Sequence, residues 1–168
     1  MGLYLDYNAS APMLQSSIDA MIESIAIIGN PSSIHTSGRK AKSAIEDARE
    51  IVAETINALP QNIIFTSGAS ESNSLAFKCT ENMKVIMSAI EHDSVLGQKK
   101  DSLIVPVNKD GIINIKYLEK CLDQNLNDKL FVSIMAVNNE TGVIQPIKDV
   151  SSLCLKYNAF LHVDAVQA

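Results

Sequence analysis

Residues 160–168 read FLHVDAVQA, and this stretch decides the fold class of the 168-residue chain. The run 160–163 is apolar enough for a strand that is buried on both faces, which is typical of parallel sheets covered by helices on both sides. Asp164 and Gln167 follow at the carboxyl end of this strand. A buried carboxylate without a partner is costly, and no cationic side chain follows Asp164 before Ala168. We therefore expect a binding site at this strand end that the remaining residues do not complete.

The same apolar character recurs in segments that precede this strand. The other predicted strands are 63–66, 85–89, 103–107 and 130–137. Stretches with apolar residues at three- and four-residue spacing alternate with them and predict helices. The predicted helices are 37–59, 71–82, 93–101, 115–125 and 147–158. Alternating strands and helices predict one α/β domain with a doubly wound, mostly parallel sheet, helices on both faces and right-handed crossovers.

The composition argues against several classes of function. A net charge of −5 does not favour binding to nucleic acid or to an anionic membrane. Cys79, Cys121 and Cys154 show no CxxC spacing, so neither a disulfide framework nor a zinc site is indicated, and a cytoplasmic setting fits. No apolar run approaches the length of a membrane span, and no leader precedes the strand-like segment LYLDY at 3–7. We expect a soluble protein that starts where its fold starts.

The strand ends are informative because ligands of open parallel sheets bind beyond the carboxyl ends of the strands. After 63–66 comes SGASES, a turn of small residues that opens a predicted helix at Glu71. The backbone N–H groups of Gly68, Ala69 and Glu71, with the hydroxyl of Ser70, would form a cup for a phosphate. Ordinary helix capping is the alternative interpretation.

Two further strand ends carry polar side chains. His92, between Glu91 and Asp93, can stack on a planar ligand, titrate near neutrality or bind a metal. Adjacent residues on one strand end rarely converge on one ion, so a metal is not favoured, and an exposed or capping histidine is the default alternative. Asn138 and Asn139 follow the strand 130–137 and could serve a ligand hydroxyl or simply form a turn.

Asp164 completes the pattern. A carboxylate at this place would keep a heteroaromatic nitrogen protonated through a charge-assisted hydrogen bond, although it could also cap the next turn. Each bland interpretation is preferable when its residue is taken alone. Together, however, a phosphate cup, a ring-stacking group, an amide and a carboxylate describe a ligand with a phosphate, a flat ring and a basic ring nitrogen. Pyridoxal 5′-phosphate is such a ligand.

Six motifs make this resemblance specific. They occur in the order YLDYNASAP, GNPSSIHTSGRKA, FTSGASESNSLA, AIEHDSV, VNNETGVIQPI and HVDAVQ. The chain resembles, from Leu3 to Gln167, the amino-terminal part of a cysteine desulfurase, in the aminotransferase class V group with the type I pyridoxal-phosphate fold. GNPSSIH followed by GRKA is particularly typical of desulfurases. A selenocysteine lyase or another class V enzyme is therefore less favoured.

The resemblance implies a role for the polar residues at the strand ends. His92 matches the histidine that stacks on the cofactor ring and moves protons, which makes it the catalytic candidate. Asp164 matches the acid that pairs with the pyridine nitrogen, and Gln167 matches the residue that contacts the phenolic oxygen. Asn139 matches an asparagine near that oxygen and the substrate carboxylate.

Two other positions follow from the same resemblance. Ser70 stands where the family usually has threonine as a phosphate ligand, with the amides of Gly68 and Ala69 beside it. Asn30, in GNPSS, matches a substrate-binding residue at the entrance of the active site. The domain division that the resemblance implies is an N-terminal arm at 1–14 and an incomplete cofactor-binding large domain at 15–168.

The activity implied by the resemblance is conversion of L-cysteine to L-alanine, with the sulfur kept as an enzyme persulfide for iron–sulfur cluster or thio-cofactor assembly. The implied partners are L-cysteine, a sulfur acceptor protein and a second subunit of a homodimer, or a complementary C-terminal half. The family's Schiff-base lysine and its sulfur-accepting cysteine lie in motifs that would follow Ala168. We therefore expect this chain alone to be inactive, as a truncated product or one half of a split enzyme. A non-catalytic binding or dimerisation module is the alternative.

The resemblance also predicts how the strands pair. In the family's sheet, the strands that separate the FTSG strand from the HVDA strand come later in the sequence. The strand 85–89 would pair with 103–107 and with 130–137, and 160–163 would join them. The strand 63–66 would then lack neighbours, and an unpaired strand exposes a row of N–H and C=O groups.

Overall fold

The structure, a computed structural model, describes residues 2–168. The chain divides between Phe65 and Thr66 into two compact units. Among the described residues, no helix is long and apolar enough to cross a membrane.

The first unit is helical. Residues 2–14 form neither helix nor strand, and the regular elements are α1 (Gln15–Ile25), α2 (Thr36–Thr55) and a 3₁₀ helix (Pro60–Asn62). The sequence did not predict α1. The predicted helix 37–59 ends earlier than expected because Asn57 has a φ of 54° and Leu59, before Pro60, is extended.

The prediction of a strand at 63–66 is wrong. This segment has no regular structure and is not part of the sheet. Its Ile63 carbonyl accepts a hydrogen bond from Arg49 Nη1 at 2.5 Å, and the Arg49 guanidinium lies 4.9 Å from the centre of the Phe65 ring. Without a neighbouring strand, the apolar run has no ladder of hydrogen bonds to join. The expected lack of neighbours is therefore confirmed.

The second unit contains the sheet. Its elements are α3 (Ala69–Lys78), β1 (Lys84–Ser88), α4 (Asp93–Leu96), β2 (Leu103–Val105), α5 (Ile115–Asp123), β3 (Leu130–Ser133), α6 (Ile147–Lys156) and β4 (Phe160–His162). The four strands are parallel and lie in the order β2-β1-β3-β4. Ile86 of β1 is opposite Leu103 and Val132, and Val132 is opposite Leu161. The predicted α/β class and strand pairing are confirmed.

The side chains of each central strand alternate between two hydrophobic clusters. Ile86 and Val132 belong to the cluster that contains the apolar sides of α5 and α6. Val85, Met87 and Phe131 belong to a second cluster that contains Phe77 of α3 and Val95 of α4. Because successive strand residues point to opposite faces, helices cover both faces of the sheet. This explains why β1 and β3 are apolar throughout.

Several strands and helices are shorter than predicted, because the last residues of the predicted segments form turns or irregular structure. The run 130–137 is a strand only to Ser133, although Ala136 N still donates to Asp164 O at 2.8 Å. One difference affects the site directly. Helix α3 begins at Ala69 rather than at Glu71, because Gly68 is its extended N-cap residue.

Candidate functional site

Polar side chains lie at the carboxyl ends of three of the strands. β1 and β3 end in Ser88 and Ser133, both fully buried, and β4 ends in His162. The Ser133 hydroxyl lies 2.9 Å from His162 Nδ1. Burial lowers the pKa of His162, and the negative charge of Asp164 opposes this effect. Ser133 and His162, which are opposite each other in the β3–β4 register, therefore form a polar pair two residues before Asp164.

Asp164 is held by two uncharged donors rather than by a cation. It is 9% exposed. Its Oδ2 accepts from Asn73 Nδ2 at 2.9 Å, and its Oδ1 accepts from the backbone N–H of Val166 at 3.1 Å. Two of the roughly four lone-pair positions of a carboxylate are used in this way. The remaining positions can accept a hydrogen bond from a ligand.

His92 is the N-cap residue of α4 and is exposed. Its Nδ1 accepts from the backbone N–H of Ser94 at 3.1 Å and lies 2.8 Å from Ser94 Oγ. The capping role that the sequence left open is therefore present. This cap fixes one edge of the imidazole and leaves the other edge, with Nε2, for other contacts.

Asn73 connects these two residues, and sequence reasoning missed it. In addition to its bond to Asp164, Asn73 Nδ2 donates to Ser94 Oγ at 3.0 Å. Asn73 and Phe77 are the buried residues of α3 and lie one helical turn apart. An asparagine on the buried stripe of a helix is the signal that could have identified it, because buried amides need partners.

Glu91 is a buried carboxyl beside the site. It is 5% exposed. Its Oε1 accepts from Ser88 Oγ and from the N–H of Met135, the latter at 2.8 Å, whereas Oε2 is buried without a hydrogen-bond partner. Burial raises the pKa of Glu91 to about 7, opposed by the bonds from Ser88 and Met135 and reinforced by the charge of Asp164. Glu91 thus links the end of β1 to the segment that follows β3.

A cavity of about 390 Å³ opens beside these residues. Its lining is Ile90, Glu91, His92, Asp93, Asn138, Asn139 and Glu140. Asn138 is buried and donates to the carbonyl of Ile90 at 3.1 Å, and its Oδ1 accepts from the backbone N–H groups of Glu140 and Thr141. Asn138 is therefore a structural residue. Asn139 is half-buried, and its Nδ2 donates to Glu140 Oε1 at 3.0 Å.

The N-terminus of α3 is where the sequence predicted a phosphate cup. The first intrahelical bond runs from Ser72 N to Gly68 O. The amides of Ala69, Ser70 and Glu71 therefore precede the hydrogen-bonded turns, as the first N–H groups of any helix do. The Glu71 carboxylate accepts from Ser67 N and Ser67 Oγ, both at 2.6 Å, and these bonds lower its pKa. Glu71 is thus a capping residue, whereas the Ser70 side chain is exposed.

Two further predicted site residues lie in local turns. Gln167 is half-buried and lies in the turn closed by the bond from Ala168 N to Ala165 O, at 3.1 Å. Asn30 belongs to the first unit, where its side-chain oxygen accepts from Ser32 N at 2.9 Å and closes a local turn. Its predicted role at the entrance of an active site stays a prediction.

The three cysteines are in different environments. Cys121 and Cys154 are buried, and Cys79 is exposed at the end of α3. Burial raises the pKa of the Cys121 thiol, and it raises that of Cys154 to about 11. Because the thiolate is the reactive form, the two buried thiols are poor nucleophiles.

We expect Ellman's reagent to label Cys79 quickly in the native chain and Cys121 and Cys154 only after unfolding in urea. The measurement is the time course of absorbance in both conditions, and a Cys79→Ser variant serves as the control because it should remove the fast phase. Rapid native labelling of Cys154 would contradict its assignment as a buried structural thiol.

Comparison with known proteins identifies the class to which this fold and site belong. Residues 3–168 match the family described as aminotransferase class-V, and the chain belongs to that family. Among its relatives are a mitochondrial cysteine desulfurase of Candida maltosa, 39% identical over 99% of this chain, and the cysteine desulfurase IscS of Dictyoglomus turgidum, 38% identical over 98%. The resemblance to cysteine desulfurases is confirmed.

Solved structures agree with these sequences. A NifS-like protein from Rickettsia africae matches with a TM-score of 0.90 and 34% identity over 95% of this chain, which corresponds to 46% of that protein. A second NifS-like protein matches with a TM-score of 0.89 and 37% identity, covering 50% of its length. The chain spans 37% and 45% of the two desulfurases above. It therefore corresponds to half or less of each of these relatives.

Proposed function

We propose that this chain supplies the pyridoxal 5′-phosphate-binding part of a cysteine desulfurase, which converts L-cysteine to L-alanine and passes the sulfur on as a persulfide. The observation that carries the proposal is the state of Asp164. This carboxylate is buried, its two donors are uncharged, and its free lone pairs lie at the carboxyl edge of a parallel sheet. A protonated ring nitrogen is a ligand that satisfies such a group.

The other groups fit the same ligand. The amides of Ala69 and Ser70 and the Ser70 hydroxyl, next to Gly68, suit a phosphate at the N-terminus of α3. His92 and Asn139 line one cavity, which favours ring stacking for the first and a contact to the phenolic oxygen or the substrate carboxylate for the second. We propose a contact to the phenolic oxygen for Gln167 and a substrate-binding role for Asn30.

The chemistry of the site divides between cofactor and protein. Bound pyridoxal phosphate supplies an electron sink for the α-carbon of the substrate. Asp164 orients the ring and keeps its nitrogen protonated through the charge-assisted bond. His92 holds or moves a proton at Nε2, because Ser94 occupies Nδ1. His92 is thus the proposed catalytic residue among residues 2–168.

We propose that residues 1–168 do not anchor the cofactor covalently. The cavity beside His92 has no lysine in its lining among the described residues, and Lys99 Nζ is committed to the carbonyls of Thr80 and Met83 at 2.9 and 2.7 Å. The buried thiols of Cys121 and Cys154 do not suit a sulfur carrier. The anchoring lysine and the sulfur-accepting cysteine would come from other residues, of the same protein or of a complementary chain. A homodimer, a sulfur acceptor protein and a cytoplasmic setting complete the proposal.

The division into an N-terminal arm at 1–14 and a large domain from 15 onward also stays a proposal. The absence of helix and strand in 2–14 and the start of α1 at Gln15 support it.

We expect the 168-residue chain to bind pyridoxal 5′-phosphate reversibly, without a covalent bond. Isothermal titration calorimetry measures binding, and mass spectrometry after borohydride reduction detects any lysine-linked cofactor. Binding with no reduced adduct is the expected result. A stoichiometric adduct at one lysine would contradict the claim about anchoring. No binding would contradict the cofactor proposal and leave a binding or dimerisation module as the better interpretation.

A further inference from the structure

The side-chain amide of Asn73 is buried and fully hydrogen-bonded at its nitrogen. Asn73 is 3% exposed, and both acceptors of its Nδ2 group are identified. One N–H bond runs to Asp164 Oδ2 at 2.9 Å and the other to Ser94 Oγ at 3.0 Å. The reverse orientation of the amide would place its oxygen against the carboxylate oxygen, which is repulsive. Asp164 therefore fixes which end of the Asn73 amide faces Ser94.

This orientation determines the direction of the next hydrogen bond. Because Ser94 Oγ accepts from Asn73, its own proton is available to His92 Nδ1, 2.8 Å away. The backbone N–H of Ser94 also points at Nδ1, at 3.1 Å. Two donors converge on this nitrogen, so it serves as an acceptor. In neutral His92 the ring proton is then on Nε2.

We propose that Asn73 is a positioning residue that couples Asp164 to His92 through Ser94, and that it thereby selects the Nε2-protonated tautomer of His92. The chain of hydrogen bonds is a property of the protein without cofactor. Its use in catalysis, with Asp164 at the ring nitrogen and His92 moving a proton, rests on the proposed function. Asn73 would then orient both Asp164 and His92.

The test measures coupling in the full chain without cofactor. Long-range ¹H–¹⁵N correlation NMR at a pH where His92 is neutral reports whether Nδ1 is of the acceptor type. We expect it to be so in the wild type. We also expect Asp164→Asn to shift the His92 Nδ1 resonance when Asn73 is present and to leave it unshifted in an Asn73→Ala background.

Two further variants keep the test decisive if Asn73→Ala does not fold. Ser94→Ala breaks the same chain of bonds but leaves the bond from Asn73 to Asp164, and should also abolish the effect of Asp164→Asn on His92. Ser74→Ala, at the next position of α3, is the matched control and should preserve it. Protonated Nδ1 in the neutral wild-type ring, or coupling that persists in Asn73→Ala or Ser94→Ala, would overturn the proposal. These outcomes do not depend on whether the chain binds pyridoxal phosphate.

Discussion

Replacing Glu91 with glutamine is expected to remove a pH-dependent loss of stability that the wild-type chain shows between about pH 4.5 and 7. The pKa of Glu91 is raised from 4.5 to about 7 in the folded state, mainly because the carboxyl is buried. In this pH range the folded chain keeps a proton on Glu91 that the unfolded chain has lost. The stabilising contribution is therefore full below about pH 4.5 and is lost as the pH rises through about 7.

The size of this effect follows from the difference between the two pKa values. One pKa unit corresponds to about 1.4 kcal/mol, so raising the pKa from 4.5 to about 7 corresponds to about 3 kcal/mol of unfolding free energy. A glutamine keeps an oxygen for the Met135 N–H and carries no titrating proton. The difference in unfolding free energy between Glu91→Gln and the wild type should therefore grow by about this amount as the pH rises from 4.5 to 8.

Urea unfolding at half-unit pH steps measures that difference. Glu50→Gln, on the exposed side of α2, is the matched control and should track the wild type at every pH. If Glu91→Gln and the wild type stayed parallel across this range, Glu91 would be ionised in the folded chain, and a proton on its buried carboxyl would be ruled out.

Asp164→Asn is expected to weaken binding of pyridoxal 5′-phosphate by roughly tenfold to a hundredfold. A hydrogen bond that involves a charged group contributes about 1.5–3 kcal/mol, and an uncharged amide cannot replace the carboxylate opposite a protonated ring nitrogen. The asparagine keeps one oxygen for the N–H of Asn73 or of Val166. Much of the local structure should therefore survive, and the loss should appear in the dissociation constant.

The binding comparison becomes specific with an analogue whose ring nitrogen is replaced by carbon. Wild type and Asp164→Asn should bind this analogue about equally, because it has no nitrogen to be recognised. Asp101→Asn, in an exposed connection, is the control and should bind both compounds as the wild type does. Equal affinity of Asp164→Asn and wild type for pyridoxal phosphate would refute the proposed role of Asp164.

The apolar pattern predicted the strands of the sheet and the family resemblance predicted their pairing, but neither predicted the strand limits. Uninterrupted apolar runs identified β1 and β3 because both of their faces are covered by helices. The same criterion failed at 63–66, since apolar composition does not supply the neighbouring strand that a ladder needs. The sequence did not predict helix α1 of the first unit. None of the side chains of this helix is buried.

For the site, the sequence identified the residues at strand ends but not the bonds between them. Asp164 and His92 are far apart in the sequence, and the two residues that join them are an asparagine inside a helix and a serine after a cap. Periodicity assigns Asn73 to the buried stripe of α3 and says nothing of its partners. Glu91 was considered only as a metal ligand, because burial of a carboxyl between two strand ends becomes evident only in three dimensions.

Helix α3 is in consequence a rigid spacer between the two ends of the proposed ligand. Its first turn presents Ser70, and Asn73 follows three residues later, a rise of about 4.5 Å along the axis. Inserting one residue between them would rotate Asn73 by about 100° relative to Ser70 and turn its amide away from Asp164. Substitutions along the exposed side of α3 leave this spacing unchanged, whereas insertions and deletions within its first turn do not.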